Sequence, residues 1–287
     1  MRLRFKILIG FLILLVIGGI TYIYAMYIGA KILKVKEYKL ESPTIVSEYN
    51  GLKIIHISDI HYGISINKKD LEKIVKDINS KKPDLVFLTG DLVDGKITAE
   101  QHKEITKVLS KIEASIGKYA VIGNHDHFYK KWNELISESG FTNLNDTYDI
   151  VYKDSYKSIF IAGISDSIYA TKKIKDRSKV IFDYLNGNEI DNSIYKILLV
   201  HEPDDVDDID YGKFDVILSG HSHNGQVRLP FIGALYTPIG CKKYYKEYYK
   251  LNDTDLYISS GLGTTVLPIR LFNRPSYNLY RLIANKK

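Results

Sequence analysis

Five short apolar runs in this chain each lead into a cluster of Asp, His or Asn, and that ordering restricts the fold more tightly than anything else in the sequence. The run at 52–57 leads into Ser58-Asp59-Ile60-His61, and the run at 85–88 into Gly90-Asp91-Leu92-Val93-Asp94. The run at 119–122 ends in Gly123-Asn124-His125-Asp126, that at 194–200 in His201-Glu202-Pro203, and that at 214–218 in Gly220-His221-Ser222-His223. Uninterrupted apolar runs of this length read as strands buried on both faces, and 158–162 adds a sixth. Between them, Leu71, Ile74, Val75 and Ile78 follow the i, i+3, i+4, i+7 spacing of a helix, as do Ile105, Val108, Leu109 and Ile112. Shorter helical patterns begin at Trp132 and at Val180. Such alternation predicts an α/β protein with helices covering sheet. Beyond about residue 225 Gly, Pro and Tyr become frequent, and 256–259 and 277–282 read as antiparallel strands. Ligands of α/β sheets bind beyond the carboxyl ends of the strands, so the five clusters are placed to converge.

The residue types suit one kind of chemistry. Asp oxygen and His nitrogen without thiolate fit divalent ions such as Mn, Fe, Zn or Co. Two such ions about 3.5–4 Å apart clamp the oxygens of an in-line displacement at phosphorus and generate hydroxide near neutral pH. Any one cluster alone would be an ordinary turn; five in order, each after an apolar run, are not a coincidence. Glycines directly before Asp91, Asn124 and His221 allow close backbone approach. The single cysteine, Cys241, can form no internal disulfide and reads as a packed thiol.

The ordered set D-x-H, G-D-x-x-D, G-N-H-D, H and G-H-x-H resembles the calcineurin-like metallophosphoesterases over about residues 52–282. Within them it is similar to a membrane-associated bacterial branch, through the tract from Gly220 to Pro230, Ser260-Gly261-Leu262-Gly263 and Pro268-Ile269-Arg270. Two positions depart from that branch: Asn224 stands where Gly is usual, and Ser276 where an acidic residue is usual. The resemblance implies a four-layer α-β-β-α sandwich with two mixed sheets. It also implies two divalent metal ions, one held by Asp59, His61 and His223 and the other by Asn124, His201 and His221, with Asp91 bridging. His125 would protonate the leaving group, and Asp126 would orient the His125 ring. The activity implied is hydrolysis of phosphate mono- or diesters by metal-bridged hydroxide. The alternative is a catalytically weak binding module on the same fold.

Residues 7–29 contain no charge, and at about 1.5 Å per residue a helix there spans roughly 34 Å, enough to cross a bilayer. The expected layout is a basic tail (1–6), a transmembrane anchor (7–29), a connector (30–50) and a metallophosphoesterase domain (51–287). Of 40 Lys and Arg and 34 Asp and Glu, seven cations and one anion lie in residues 1–40, which leaves 33 of each sign beyond. A neutral soluble part argues against nucleic acid as partner, since phosphate contacts dominate that affinity. The partners expected are the lipid bilayer and a phosphate-ester substrate, with lipid and cell-envelope esters as candidates and no obligate protein partner evident. Cations on the two sides of the span are nearly balanced, so charge does not orient it. The resemblance to a branch that faces outward or works at the membrane implies an extracytoplasmic domain. His56 inside a strand reads as packed, His102 as solvated, His127 as a substrate-side candidate, and Asp94 as loop support. The tyrosines at 244, 245, 248 and 249 read as strand residues, and the acidic run 204–210 as a solvated turn.

Overall fold

The computed structural model describes residues 2–153, 155–187 and 194–284. Helix α1 spans Arg2–Tyr24 and strand β1 Lys34–Ser42. Then come β2 (Lys53–Ile57), α2 (Lys68–Ser80), β3 (Leu85–Thr89), α3 (Ala99–Leu109), β4 (Gly117–Val121), α4 (Trp132–Glu138) and β5 (Thr142–Asn143). They are followed by β6 (Thr147–Val151), β7 (Ile159–Ile164), α5 (Ile174–Arg177), α6 (Lys179–Leu185), β8 (Tyr195–Val200) and β9 (Val216–Ser219). Two short strands, β10 (Arg228–Leu229) and β11 (Gly233–Ala234), precede β12 (Tyr248–Leu251), β13 (Thr254–Ile258) and β14 (Ser276–Ala284).

The long strands form two six-stranded mixed sheets, in the orders β1-β14-β2-β3-β4-β5 and β12-β13-β9-β8-β7-β6. Side-chain alternation along the strands explains the layering. In β2 and β3, Ile54, Leu85 and Phe87 face the second sheet, where they meet Ile161, Ile197, Leu199 and Leu218. Their neighbours Ile55, Val86 and Leu88 face α2, α3 and α4. In the second sheet Phe160, Leu198 and Ile217 turn outward onto Ile181, Leu185 and Val206. Both faces of both sheets are therefore covered, which is why their strands read as continuous apolar runs. The result is the expected four-layer α-β-β-α sandwich. Capping boxes at Asn67–Asp70 and Thr98–Gln101 fix the starts of α2 and α3, so the strand-to-helix loops have defined ends.

The two late strands are mixed in their pairing. β13 is antiparallel to β12 and parallel to β9, and β14 is antiparallel to β2 and parallel to β1. A larger correction concerns residues 30–50. They are no free connector, because Lys34–Ser42 pairs along its whole length with Ser276–Ala284. Leu40 and Ser42 are buried at its end, and Tyr49 is buried just beyond. The apolar N-terminal helix is likewise joined to the domain. Helix α1 is exposed throughout, long and apolar enough to cross a membrane, and it continues into a π-type turn at Ala25–Gly29. There Ala25 and Gly29 are buried on the domain, and the Ala25 carbonyl accepts from the Arg270 N–H at 3.0 Å.

These pairings fix where the soluble unit begins. A fragment of residues 31–287 should be monomeric by gel filtration and unfold cooperatively. A fragment of 43–287 opens the edge of β14 and deletes buried Leu40. It should be less stable by at least about 2–5 kcal/mol, the cost of removing a buried leucine, when both are compared by denaturant unfolding.

Candidate metal centre

The strands β2, β3 and β4 run parallel in one sheet, and β8 and β9 run parallel in the other. The loops leaving these five carboxyl ends bring together all seven expected ligands. Ligand atoms of Asp59, His61 and His223 lie within 4.8 Å of one another, and so do those of Asp91, His201 and His221. Asp91 Oδ2 is 3.6 Å from His61 Nε2 and 3.3 Å from His201 Nε2, so it stands between the two groups. Asn124 Oδ1 is 3.1 Å from His201 Nε2.

The backbone is strained where it places these side chains. Asp59, His61, Asp91, His221 and His223 all have φ between 44° and 65°. Left-handed backbone in non-glycine residues costs of order 1 kcal/mol or more each, and persists only where the surroundings over-determine it. They do so here: the Asp59 N–H donates to Gly90 O, the His61 N–H to Asp91 O, and the His221 N–H to Asp59 Oδ1. Glycine is required beside them. A Cβ at Gly123 would lie 2.3 Å from Asp91 Oδ1, and one at Gly220 would lie 1.9 Å from Ser58 Oγ.

Second contacts choose which ring nitrogens face inward. His201 donates from Nδ1 to the Thr89 carbonyl at 2.7 Å, and His221 donates from Nε2 to the Ile239 carbonyl at 2.6 Å. The opposite nitrogen of each ring keeps its lone pair for a metal. Burial pushes His61 and His221 down to about 4, so both imidazoles are neutral at neutral pH. Burial pushes Asp59 up to about 6. Burial also opposes the charge of Asp91, but His201 and His61 beside it hold its carboxyl well below the usual range. His201, despite its burial, is held well above its ordinary value by Asp91. Buried carboxylates are thus calling for positive charge, and a proton on His201 supplies it where a divalent cation would displace it. The His61 Nδ1 is buried with no hydrogen-bond partner. The donor set fits divalent cations.

The expected helper of His125 is a different residue. Asp126 accepts from the backbone N–H groups of Val93 and Gly123 and braces the loop, with no bond to the His125 ring. Burial, then the charge of Asp91, pushes Asp126 up to about 7. The partner of His125 Nδ1 is Asp94, the last residue of the G-D-x-x-D run. His125 is also tied through its N–H to Asp91 Oδ1 at 2.9 Å. His102, expected in solvent, is buried between Tyr129 Oη (2.7 Å) and Glu138 (3.0 Å). His127 pairs with Asp166 at 2.9 Å, a partner on the loop after β7 that carried no cue in the sequence. His56 is packed against Thr89 as expected, and the Cys241 thiol is buried. Asp204, within the acidic run, accepts from the N–H groups of Lys242, Lys243 and Tyr244.

Fold and site together define a metal-dependent hydrolase of phosphoric esters. The model of the calcineurin-like phosphoesterase family matches residues 52–225, and the chain belongs to that family. It is 33% identical over 280 residues to YkuE of Bacillus subtilis, an uncharacterized metallophosphoesterase, which covers 92% of this chain and 91% of that protein. It is 27% identical over 268 residues to a transmembrane protein with metallophosphoesterase domain from Danio rerio, covering 91% of this chain and 60% of the relative. Among solved structures, TT1561 of Thermus thermophilus aligns with a TM-score of 0.50 at 13% identity, over 74% of this chain and 90% of that one, a likeness of fold.

Metal that binds only the folded chain stabilises it by mass action, by about 2.7 kcal/mol at a hundredfold excess over Kd. Exhaustive chelation should therefore lower the thermal midpoint by roughly 5–10 °C, and Mn or Zn should restore it. An unchanged midpoint in protein shown to be metal-free would contradict the assignment.

Proposed function

We propose that this protein is a membrane-anchored phosphoesterase that holds two divalent ions, one on Asp59, His61 and His223 and one on Asn124, His201 and His221, with Asp91 shared. When bound, the ions supply hydroxide near neutral pH and neutralise charge on the phosphoryl oxygens. The chain's own residues do the rest. His125 keeps Nδ1–H on Asp94 and presents Nε2 to the leaving oxygen, to which it delivers a proton. Asp91 positions His125 through its backbone N–H.

The observation that carries the substrate class is the groove above the ligands. It has a volume of about 600 Å³, its floor includes Asp91, Asn124, His125, His221 and His223, and its walls are Val227, Tyr236, Ile239, Val266, Leu267 and Ile269. Several wall residues are open to solvent, with Val266 86% and Ile239 75% exposed. Val266 holds φ 61°, an outlier for a β-branched residue. A polar substrate needs no such wall, whereas the chains of a lipid phosphoester do. The wall segment runs on to Arg270, which bonds the base of the anchor, so the groove adjoins the membrane helix. We therefore read the substrate as a phosphate ester of a lipid or amphiphilic cell-envelope molecule, met at the membrane surface. We read the domain as extracytoplasmic, a reading supported by its resemblance to a branch that faces outward or works at the membrane. Protease added to wall-stripped cells should digest it; protection would place it in the cytoplasm.

His125→Ala should keep the metals and lose roughly 10²–10⁴-fold in rate. Asp94→Asn should lose less, and both losses should shrink for good leaving groups such as nitrophenol. The sign of the pH effect follows from the pair. Burial opposes the imidazolium, but Asp94 holds His125 above its ordinary value. The acid form is lost as pH rises through that value, so Asp94→Asn should move the alkaline limb of activity to lower pH. Equal losses for good and poor leaving groups would exclude the acid role.

The substrate class has its own test in reconstituted vesicles. Ile239→Ser/Val266→Ser/Leu267→Ser should reduce hydrolysis of a vesicle-embedded phosphoester about tenfold more than hydrolysis of a soluble nitrophenyl phosphodiester, a difference of about 1.4 kcal/mol. Equal effects on the two would exclude lipid recognition by the groove.

A further inference from the structure

A second cavity, of about 500 Å³, lies at the foot of the anchor, with Tyr24 and Gly29 on its wall. Its charges are one-sided: Lys34, Lys36, Arg228, Arg270 and Arg274 line it, against the single carboxylate of Glu247. That carboxylate is already engaged, by Lys36 Nζ at 2.8 Å. The other cations lack acidic partners among the described residues. Arg228 spends Nη1 on Asn224, bonding its carbonyl and its side-chain oxygen. Arg270 is wholly buried, and its Nη2 is occupied by the carbonyls of Ser260, Gly261 and Gly263. Its Nη1 is buried with no acceptor among the described residues. Lys34 and Arg274 are exposed at the rim and make no side-chain hydrogen bond or ion pair among the described residues.

A buried guanidinium costs several kcal/mol unless charge of opposite sign offsets it. Asp59 offsets part of that cost for Arg270, while Lys34, Arg228 and Arg274 bring further positive charge to the cavity with no carboxylate of their own among the described residues. The guanidinium nitrogens left over, Nη1 of Arg270 and Nη2 of Arg228, are strong donors to phosphoryl oxygens, and lysines at a rim add attraction without fixing geometry. Position narrows the source. Tyr24 marks the end of the apolar helix, the level at which tyrosine meets the polar headgroups of a bilayer. Arg270 Nη2 lies 3.2 Å from His223 Nδ1, so the cavity adjoins the candidate metal centre through one side chain.

We infer that this cavity is a second phosphoryl-anion site, separate from the catalytic groove, which takes the phosphate of an anionic lipid headgroup or a free phosphate ion beside the anchor. Arg270 and Arg228 grip the oxygens, and Lys34 and Arg274 close over them. Full-length protein in phosphatidylcholine nanodiscs provides the test, with phosphatidylglycerol or inorganic phosphate added in separate arms and the thermal midpoint read in each. Phosphatidylglycerol should raise the midpoint of the native sequence by several degrees. Lys34→Gln/Arg274→Gln should lose at least half of that shift while hydrolysing a soluble nitrophenyl ester at the native rate. Lys39→Gln, which removes a charge on the same strand as Lys34 but outside the cavity, should retain the shift. A substitution-sensitive shift with inorganic phosphate and none with the lipid would support the site and identify a free anion as its occupant. No shift in either arm, a shift that survives Lys34→Gln/Arg274→Gln, or an equal loss in Lys39→Gln would overturn the inference.

Discussion

Two carboxylates buried almost completely, Asp59 and Asp91, set the terms for the rest of the molecule. A carboxylate removed from water must be paired, protonated or bound to a cation. Here the pairing comes from five loops on two different sheets, and no single segment could supply it. The sandwich is the device that makes those loops meet. Parallel strands deliver their carboxyl ends to one side, and packing Phe87, Leu199 and Leu218 between the sheets holds those ends together. The left-handed backbones at five of the seven ligands store the conflict between chain geometry and site geometry. Gly123 and Gly220 leave room where any side chain would strike Asp91 or Ser58.

What was legible in the sequence follows from this. Doubly buried strands have no polar face, so they appear as apolar runs. A side chain just beyond the last buried residue of such a run reaches the shared end of the sheets, so Asp59, Asp91, Asn124, His201 and His221 stand out by position as expected ligands. Edge strand β1 has no such signature. Its residues are exposed or half-exposed up to Lys39, with Lys and Glu interspersed and only Leu40 and Ser42 buried, and its partner β14 lies at the other end of the chain. Polar composition made it look like a tether, although backbone pairing is indifferent to composition on a solvent-facing edge. The choice between Asp94 and Asp126 was equally hidden. Both lie on ligand loops, and only three-dimensional turn geometry shows that Asp126 folds back onto the N–H groups of Val93 and Gly123 and leaves His125 to Asp94. His102 was misplaced because its helix is amphipathic and its burial depends on Tyr129 and Glu138, contributed from outside that helix.

The docking of the apolar helix bears directly on the proposed membrane attachment. A flexible tether would raise the local concentration of enzyme at the surface and leave its orientation free. Here the end of the helix is fastened to the domain by the bond from Arg270 N–H to Ala25, by Lys31 Nζ on the Ser65 carbonyl, and by the full pairing of β1. The contact at Gly29 is so close that a Cβ there would lie 2.1 Å from the Arg270 carbonyl oxygen. A helix crossing a bilayer in this attachment carries the domain in one attitude rather than many.

Arg270 joins these features into one unit. Its backbone bonds the anchor, its guanidinium ties the carbonyls of residues 260, 261 and 263 and touches His223, and its neighbours Leu267 and Ile269 form the groove wall. A buried arginine is a costly choice for a purely structural post, since an apolar side chain of similar volume would avoid its desolvation. Its retention at the junction of anchor, apolar groove and metal ligand makes sense when each of those three meets the same substrate. Under the proposed reading of a membrane-bound enzyme with an amphiphilic substrate, the helix sets the depth of the site, the wall receives the apolar portion and the expected metal ligands receive the phosphate. The spacing of these three parts is held by covalent chain and buried hydrogen bonds.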